Sequence, residues 1–199
     1  MSQEKELLIM SQAVERLRDR SLSWHVFDLS RNLLFPFVGF LGILAYLLTG
    51  HYTKFDILLF VVFFLATGIG ATVGFHRLFS HRAFKAKPWL RITLAVLGSF
   101  AWQRPLFVWV VRHRLHHAHT DQKGDFHSPY IRYDGTTITG TLKQFLHAHY
   151  TWLHWYDPIV DPNSPLIKDL YADSSLRWID NHYDFLTVLF LLLPGILIA

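Results

Sequence analysis

The chain has no cysteine. That excludes disulfides and thiolate metal sites, so any metal centre must be built from nitrogen and oxygen donors. Charge is missing from two long stretches, Asn32 to Gly50 and Ile57 to Phe75. As helices, each is about long enough to cross a ~30 Å hydrocarbon core, the first near the short end. The opening residues do not resemble a cleavable signal: residues 1–31 are polar and helical in pattern, with Glu4, Glu6, Glu15, Arg16, Arg18 and Arg20. A net charge of +4 over 199 residues is modest. Beside such apolar runs it speaks for topology rather than for nucleic-acid binding. There is no internal repeat and no low-complexity segment.

The distribution of positive charge sets an orientation. Of 19 Lys and Arg, five precede the first apolar block, 13 lie between Phe75 and Phe185, and Lys54 alone occupies the connection Gly50–Asp56. Positive residues stay on the cytoplasmic side, which places that connection outside and both flanks inside. The expected fold is all-α, an integral membrane protein in one domain. A cytoplasmic N-terminal helix (1–31) leads into a transmembrane hairpin (33–49 and 57–75), a cytoplasmic helical cap (76–184) and a partial third transmembrane helix (185–199). Within the cap, Ile92–Trp102 is too short to cross and reads as a helix on the membrane face or in a core. Leu106–Val111 leads into a basic segment, Leu166–His182 has helical spacing, and Thr120–Gly140 and Asp157–Ser164 carry loop chemistry.

Histidine is what the chain has in excess. Five of its 13 fall into two clusters, His76-x4-His81 and His113-x2-His116-His117, each where an apolar run meets a basic one. Neutral imidazole suits Fe, Zn, Cu or Ni. Residues i, i+3 and i+4 share a helix face, so the second cluster can converge on a metal. His76 and His81 stand roughly 140° apart on a regular helix and meet only if that helix ends or bends near Leu78–Ser80. Five imidazoles exceed the needs of one tetrahedral zinc, and two ions sharing the site fit better. Iron is the natural metal where oxygen chemistry is intended. His119 and His127, with Asp121 and Asp125, in the following loop, are placed to accept from or support metal-bound imidazoles. The isolated His25, His51, His147, His154 and His182 read as surface or interfacial side chains.

At these residues the chain resembles a membrane fatty acid desaturase of the Δ9 acyl-CoA type. The segment Gly74-Phe-His-Arg-Leu-Phe-Ser-His-Arg82 matches the first histidine box of that family with its flanks, and His113-Arg-Leu-His-His117 matches the second. Asp121-Gln-Lys-Gly-Asp-Phe-His-Ser-Pro129 is similar to the Asp-Pro-His-Ser stretch of bacterial relatives. The resemblance implies a di-iron centre that uses O2 to insert a cis double bond, at Δ9, into a saturated acyl chain carried as acyl-CoA or acyl-lipid. Electrons would come from a donor such as ferredoxin or cytochrome b5. It also implies that Gln103 and Trp109 line the bend of an acyl tunnel; without it, Trp109 would read as an interfacial anchor.

The chain departs from the family in two places. Val111-Arg112 replaces an Arg-Asp or Ala-Asp pair, and Arg104 replaces an Asn, at positions that hold the thioester region in acyl-CoA enzymes. The family's third box, His-x2-His-His with a further His and Asn, does not occur before Ala199. The expectation is therefore an N-terminal portion that is inactive alone. Two other readings use the same residues, a related di-iron hydroxylase and a non-enzymatic haem- or metal-binding membrane protein. Bis-imidazole haem wants histidines on facing membrane helices, and neither apolar run contains one.

Overall fold

A computed structural model describes residues 14–16, 21–154 and 156–198, which are mostly helical. Strand β1 (Val14–Arg16) pairs antiparallel with β2 (Tyr156–Pro158), Glu15 opposite Asp157. This corrects the expectation of one helix over 1–31. A partner far along the chain takes the backbone at Val14–Arg16, and local spacing does not reveal such pairing. Residues 1–13 and 17–20 of that expected helix lie outside the described residues.

Helix α1 (Leu22–Leu29) starts at Ser21, whose hydroxyl accepts from the Trp24 amide at 3.3 Å. Such a cap satisfies one of the orphan amides at a helix start. The chain then passes through a π-helical turn, Ser30–Leu34, into α2 (Phe35–Thr49) without a break. Gly50 ends it in the left-handed conformation, φ 68°, which costs glycine nothing. Thr53 and Asp56 form a capping box at the start of α3 (Lys54–Ile69), and the Tyr46 hydroxyl donates to Asp56 at 2.9 Å across the turn. Beyond Ile69 the same helix continues as a π-helix, Gly70–Ser80.

Two uninterrupted apolar helices result, Leu22–Thr49 of 28 residues and Lys54–Ser80 of 27, both long enough to cross a bilayer. They are longer than the uncharged runs from which they were inferred. No residue of α2 or α3 is buried. Apolar side chains over that whole length face outward, a surface far larger than soluble monomers tolerate.

The core lies where the π-helical segment meets α4 (Pro88–Ser99) and α5 (Leu106–His119). Phe75, Phe79, Leu106 and Val110 are fully buried there, with Ile167 and Leu176 from the following segments. Ile92–Trp102 is thus chiefly part of a core helix. Glycine makes the contact possible: a Cβ on Gly70 would stand 2.2 Å from the Gly98 amide nitrogen, and one on Gly98 would stand 2.3 Å from the Phe75 ring.

Helix α6 (Thr141–His149) follows the long loop. The segment Leu166–His182 is two short helices, α7 (Lys168–Tyr171) and α8 (Ser174–Asn181). Asp173 caps the second through the Ser175 and Leu176 amides. Last comes α9 (Tyr183–Ile198), apolar from Tyr183 to Pro194 and shorter than the two long helices. Its Phe190 stacks on Phe100 at 4.2 Å and meets Phe63 of α3 at 4.9 Å.

Candidate metal centre and adjoining cavity

The five-residue spacing of His76 and His81 is resolved by helical winding. In a π-helix the hydrogen bond runs from residue i+5 to residue i, so residues five apart lie nearly above one another. The His81 amide donates to the His76 carbonyl at 3.0 Å, and the two ring Nε2 atoms are also 3.0 Å apart. The helix ends at Ser80, yet it is the wider winding, not a bend, that aligns the rings. Arg82 follows with φ 51° and turns the chain away.

Helix α5 supplies the second cluster but divides it. His113 and His117 face the first pair: His113 Nε2 is 3.0 Å from His81 Nε2 and 3.1 Å from His117 Nε2. At 100° per residue, His116 and His117 fall on opposite sides of His113. His116 therefore turns to the loop, where Asp125 accepts from its Nδ1 at 2.8 Å. The ring of His127 stacks on His116 with centroids 3.8 Å apart. Two donor groups result, His76, His81, His113 and His117 in one, His116, Asp125 and His127 in the other. Convergence of all three box-two imidazoles on one point is thus not what the helix does.

The donor set of the first group fits a cation. An imidazole nitrogen offers either one lone pair or one N–H. His81 Nε2 touches two neighbours and so does His113 Nε2, so these contacts cannot all be hydrogen bonds. Lone pairs turned toward one ion satisfy all four nitrogens. Burial, then the nearby charges of His76, His117 and His81, pushes the His113 pKa down to about 3. Burial also lowers those of His81, His117 and His127. All are thereby held in the neutral form that binds metal.

Asp125 is fully buried and accepts three times, from His116, from the His127 amide at 3.0 Å and from the Asp121 amide at 2.9 Å. Asp121 reaches no imidazole in these contacts. Its carboxylate accepts from the Ser128 hydroxyl at 2.7 Å and so braces the loop.

Trp109 stacks on His113 at 4.9 Å, and its indole N–H donates to the Gln103 side-chain oxygen at 3.3 Å. Both line a cavity of about 360 Å³ that reaches His113 and His127 and is closed partly by Trp102, Arg104, Arg112 and Trp152. Trp102 and Arg104 have φ of 57° and 86°, in a region that costs a non-glycine residue of order 1–3 kcal/mol. The fold holds this strained turn directly before the helix that carries His113.

Sequence reasoning missed a buried ionic cluster beside that cavity. Asp28 accepts from Arg31 and Arg104, each at 3.1 Å, and from His154 at 2.8 Å, while Arg112 meets Asp157 at 2.6 Å. His147, which bonds Thr151, is thus buried, not a surface or interfacial side chain, while His154 is half-buried through its bond to Asp28. Arg114 was missed too. It donates to the Phe79 and Ser80 carbonyls at the end of the π-helix, to the Leu166 carbonyl and to both oxygens of Asp169. Their partners lie up to 126 residues apart, and no local signal marks them.

No protein-family model matches the chain. Among curated proteins it is 37% identical over 165 residues to a hex-5-enoyl-[acyl-carrier protein] acetylenase of Moorena producens, covering 81% of this chain and 50% of that protein. It is 34% identical over 129 residues to stearoyl-CoA desaturase 5 of Bos taurus (63% and 35%). To an sn-1 stearoyl-lipid 9-desaturase of Anabaena variabilis it is 29% identical over 128 residues (64% and 43%). The chain spans about half, or less, of the length of these relatives. With likeness to several such enzymes extending over most of its length, this chain belongs to the fatty acid desaturase family.

Proposed function

We propose that these residues form part of an oxidoreductase that introduces a cis double bond, at Δ9, into a saturated acyl chain. The observation that carries this reading is the meeting of imidazoles from two separate segments at one end of a long apolar helix. In this reading His76, His81, His113 and His117 hold one iron. His116, with Asp125 orienting its ring, belongs to a second, and His127 packs against it. Bound there, iron supplies the redox chemistry with O2 that removal of two hydrogens from an unactivated methylene pair requires. Overall, the saturated chain, O2, two electrons and two protons give the alkene and two waters. Ferredoxin or cytochrome b5 is the class of donor for those electrons.

The side chains of this polypeptide bind and orient. Gln103 and Trp109, joined by their hydrogen bond, line the path of the acyl chain past His113, and the aromatic walls exclude water. The relatives' names include an acyl-carrier-protein, a CoA and a lipid substrate; the acyl chain taken by this site is carried in one of these three forms, with acyl-CoA or acyl-lipid the reading the histidine-box resemblance favours. The two long helices cross the membrane, with the metal centre on its cytoplasmic face.

The full-length protein, purified and supplied with a donor and stearoyl substrates, should carry about two irons and yield monounsaturated product by gas chromatography. Full activity without iron would overturn the reading, and an alcohol as sole product would make the enzyme a hydroxylase.

A further inference from the structure

Helix α6 shows a segregated surface that the metal centre does not use. Leu142, Phe145, Leu146 and His149 occur at i, i+3, i+4 and i+7, a stripe about 100° wide. All four are exposed, Leu142 by 69% and Phe145 by 58%. The opposite side holds the helix to the protein: His147 is buried against Thr151, and Gln144 donates to the Ile138 carbonyl at 3.1 Å. Lys143 sits exposed at the edge of the stripe.

The position of the helix says what covers this face. Tyr150, directly after α6, donates its hydroxyl to the Asn32 carbonyl at 3.1 Å. Asn32 is where the uncharged run of the first long helix begins, one residue after Arg31, its last charged residue. The C-terminal end of α6 is therefore tied to the level at which that helix passes from charged to apolar surroundings. Exposed Leu33, Leu34 and Phe35 continue the apolar surface from there.

We propose that α6 is an interfacial helix whose Leu142–Phe145–Leu146 face is seated in the cytoplasmic leaflet, at the boundary of headgroups and acyl chains. The inference rests on the reading of Leu22–Thr49 and Lys54–Ser80 as bilayer-crossing. An amphipathic helix of this kind lies in the membrane plane with its apolar face buried by about 5–10 Å. The Lys143 stem can extend its ammonium toward lipid phosphate. His149 and, just beyond α6, Trp152 line the cavity that contains Trp109 and His113. Seating α6 in the leaflet thus brings one wall of the cavity to the depth where acyl chains lie.

These 199 residues contribute no cysteine, so single spin labels can be placed here once any cysteine elsewhere in the full-length protein is replaced by serine. Leu142→Cys, Phe145→Cys and Leu146→Cys, in full-length protein in nanodiscs of phosphatidylcholine and phosphatidylglycerol, would be compared with Phe40→Cys on α2 and Asn163→Cys in a loop. Collisions with oxygen should exceed collisions with a water-soluble nickel chelate several-fold at the three α6 positions and at Phe40, and the reverse should hold at Asn163. Nickel-dominated collisions on α6 would overturn the proposal, as would immobile labels shielded from both probes, the sign of a protein partner. Failure of the Phe40 label alone would instead sink the bilayer-crossing reading.

Discussion

Every group that approaches the Asp125 carboxylate is a donor: the ring of His116 and two backbone amides. In Asp125→Asn the side-chain NH2 must face one of those donors, and the acceptor that fixes the orientation of the His116 ring through its Nδ1–H is weakened. Iron affinity of the protein should fall by about 10–100-fold, read as metal retained after dialysis against a graded chelator. Asp180 behaves differently. Burial raises its pKa from 3.8 to about 6, against the pull of a hydrogen bond from the Phe107 amide at 2.7 Å. The stability that its protonated form contributes is complete below pH 3.8 and lost as pH rises through about 6. At pH 7 the buried carboxylate therefore destabilises the fold. Asp180→Asn keeps an oxygen for Phe107, and should raise the unfolding free energy at pH 7 by up to about 3 kcal/mol. Thermal scans from pH 7 down to 4 should show that gain disappear.

The two histidine-bearing helices are registered to each other by a staple made of this chain's own side chains. Arg114 sits on α5 between His113 and His117, and its guanidinium reaches the last carbonyls of the π-helix that carries His76 and His81. It also holds Asp169 at the start of α7, which Arg82 contacts at 2.8 Å. Burial opposes ionisation of Asp169, but the bonds from Arg114 and Arg82 prevail and bring its pKa to about 2. One planar fork satisfies several acceptors at once, which an ammonium cannot match. Arg114→Ala should cost about 2–4 kcal/mol, and Arg114→Lys should recover only a small part, by thermal unfolding in detergent. A glycine contact supports the same junction, since Gly70 and Gly98 leave no room for a Cβ between the π-helix and α4.

The whole molecule divides into a polar, ion-paired body and two helices without a buried residue over α2 and α3. Apolar side chains in that number need a solvent of their own kind. In the proposed reading lipid is that solvent, which the helices allow because they satisfy their own backbone groups. Alkaline carbonate should leave the protein in the membrane pellet, and detergent should release it. Recovery in the carbonate supernatant would mean that the apolar faces are covered by protein instead. The contact of Phe190 with Phe63 lays α9 beside the second long helix.

Gln103 and Trp109 were marked only by the family resemblance; periodicity, residue type and charge distribution were enough to mark both apolar helices, the loop after the second histidine cluster and the His and Asp residues proposed as ligands or supports. These are local properties, carried by hydropathy, by residue type and by spacing of a few positions. Three-dimensional packing decided the rest. It wound Gly70–Ser80 as a π-helix, so that a spacing unfit for a regular helix became a fit one. It parted His116 from His113 and His117, and drew Val14–Arg16 into a strand. It also joined Asp28 to Arg104 and His154, and Arg114 to Asp169, across tens of residues. Such pairs form because buried charge must find a partner, and which partner it finds depends on where the chain returns, a property that no short window of residues contains.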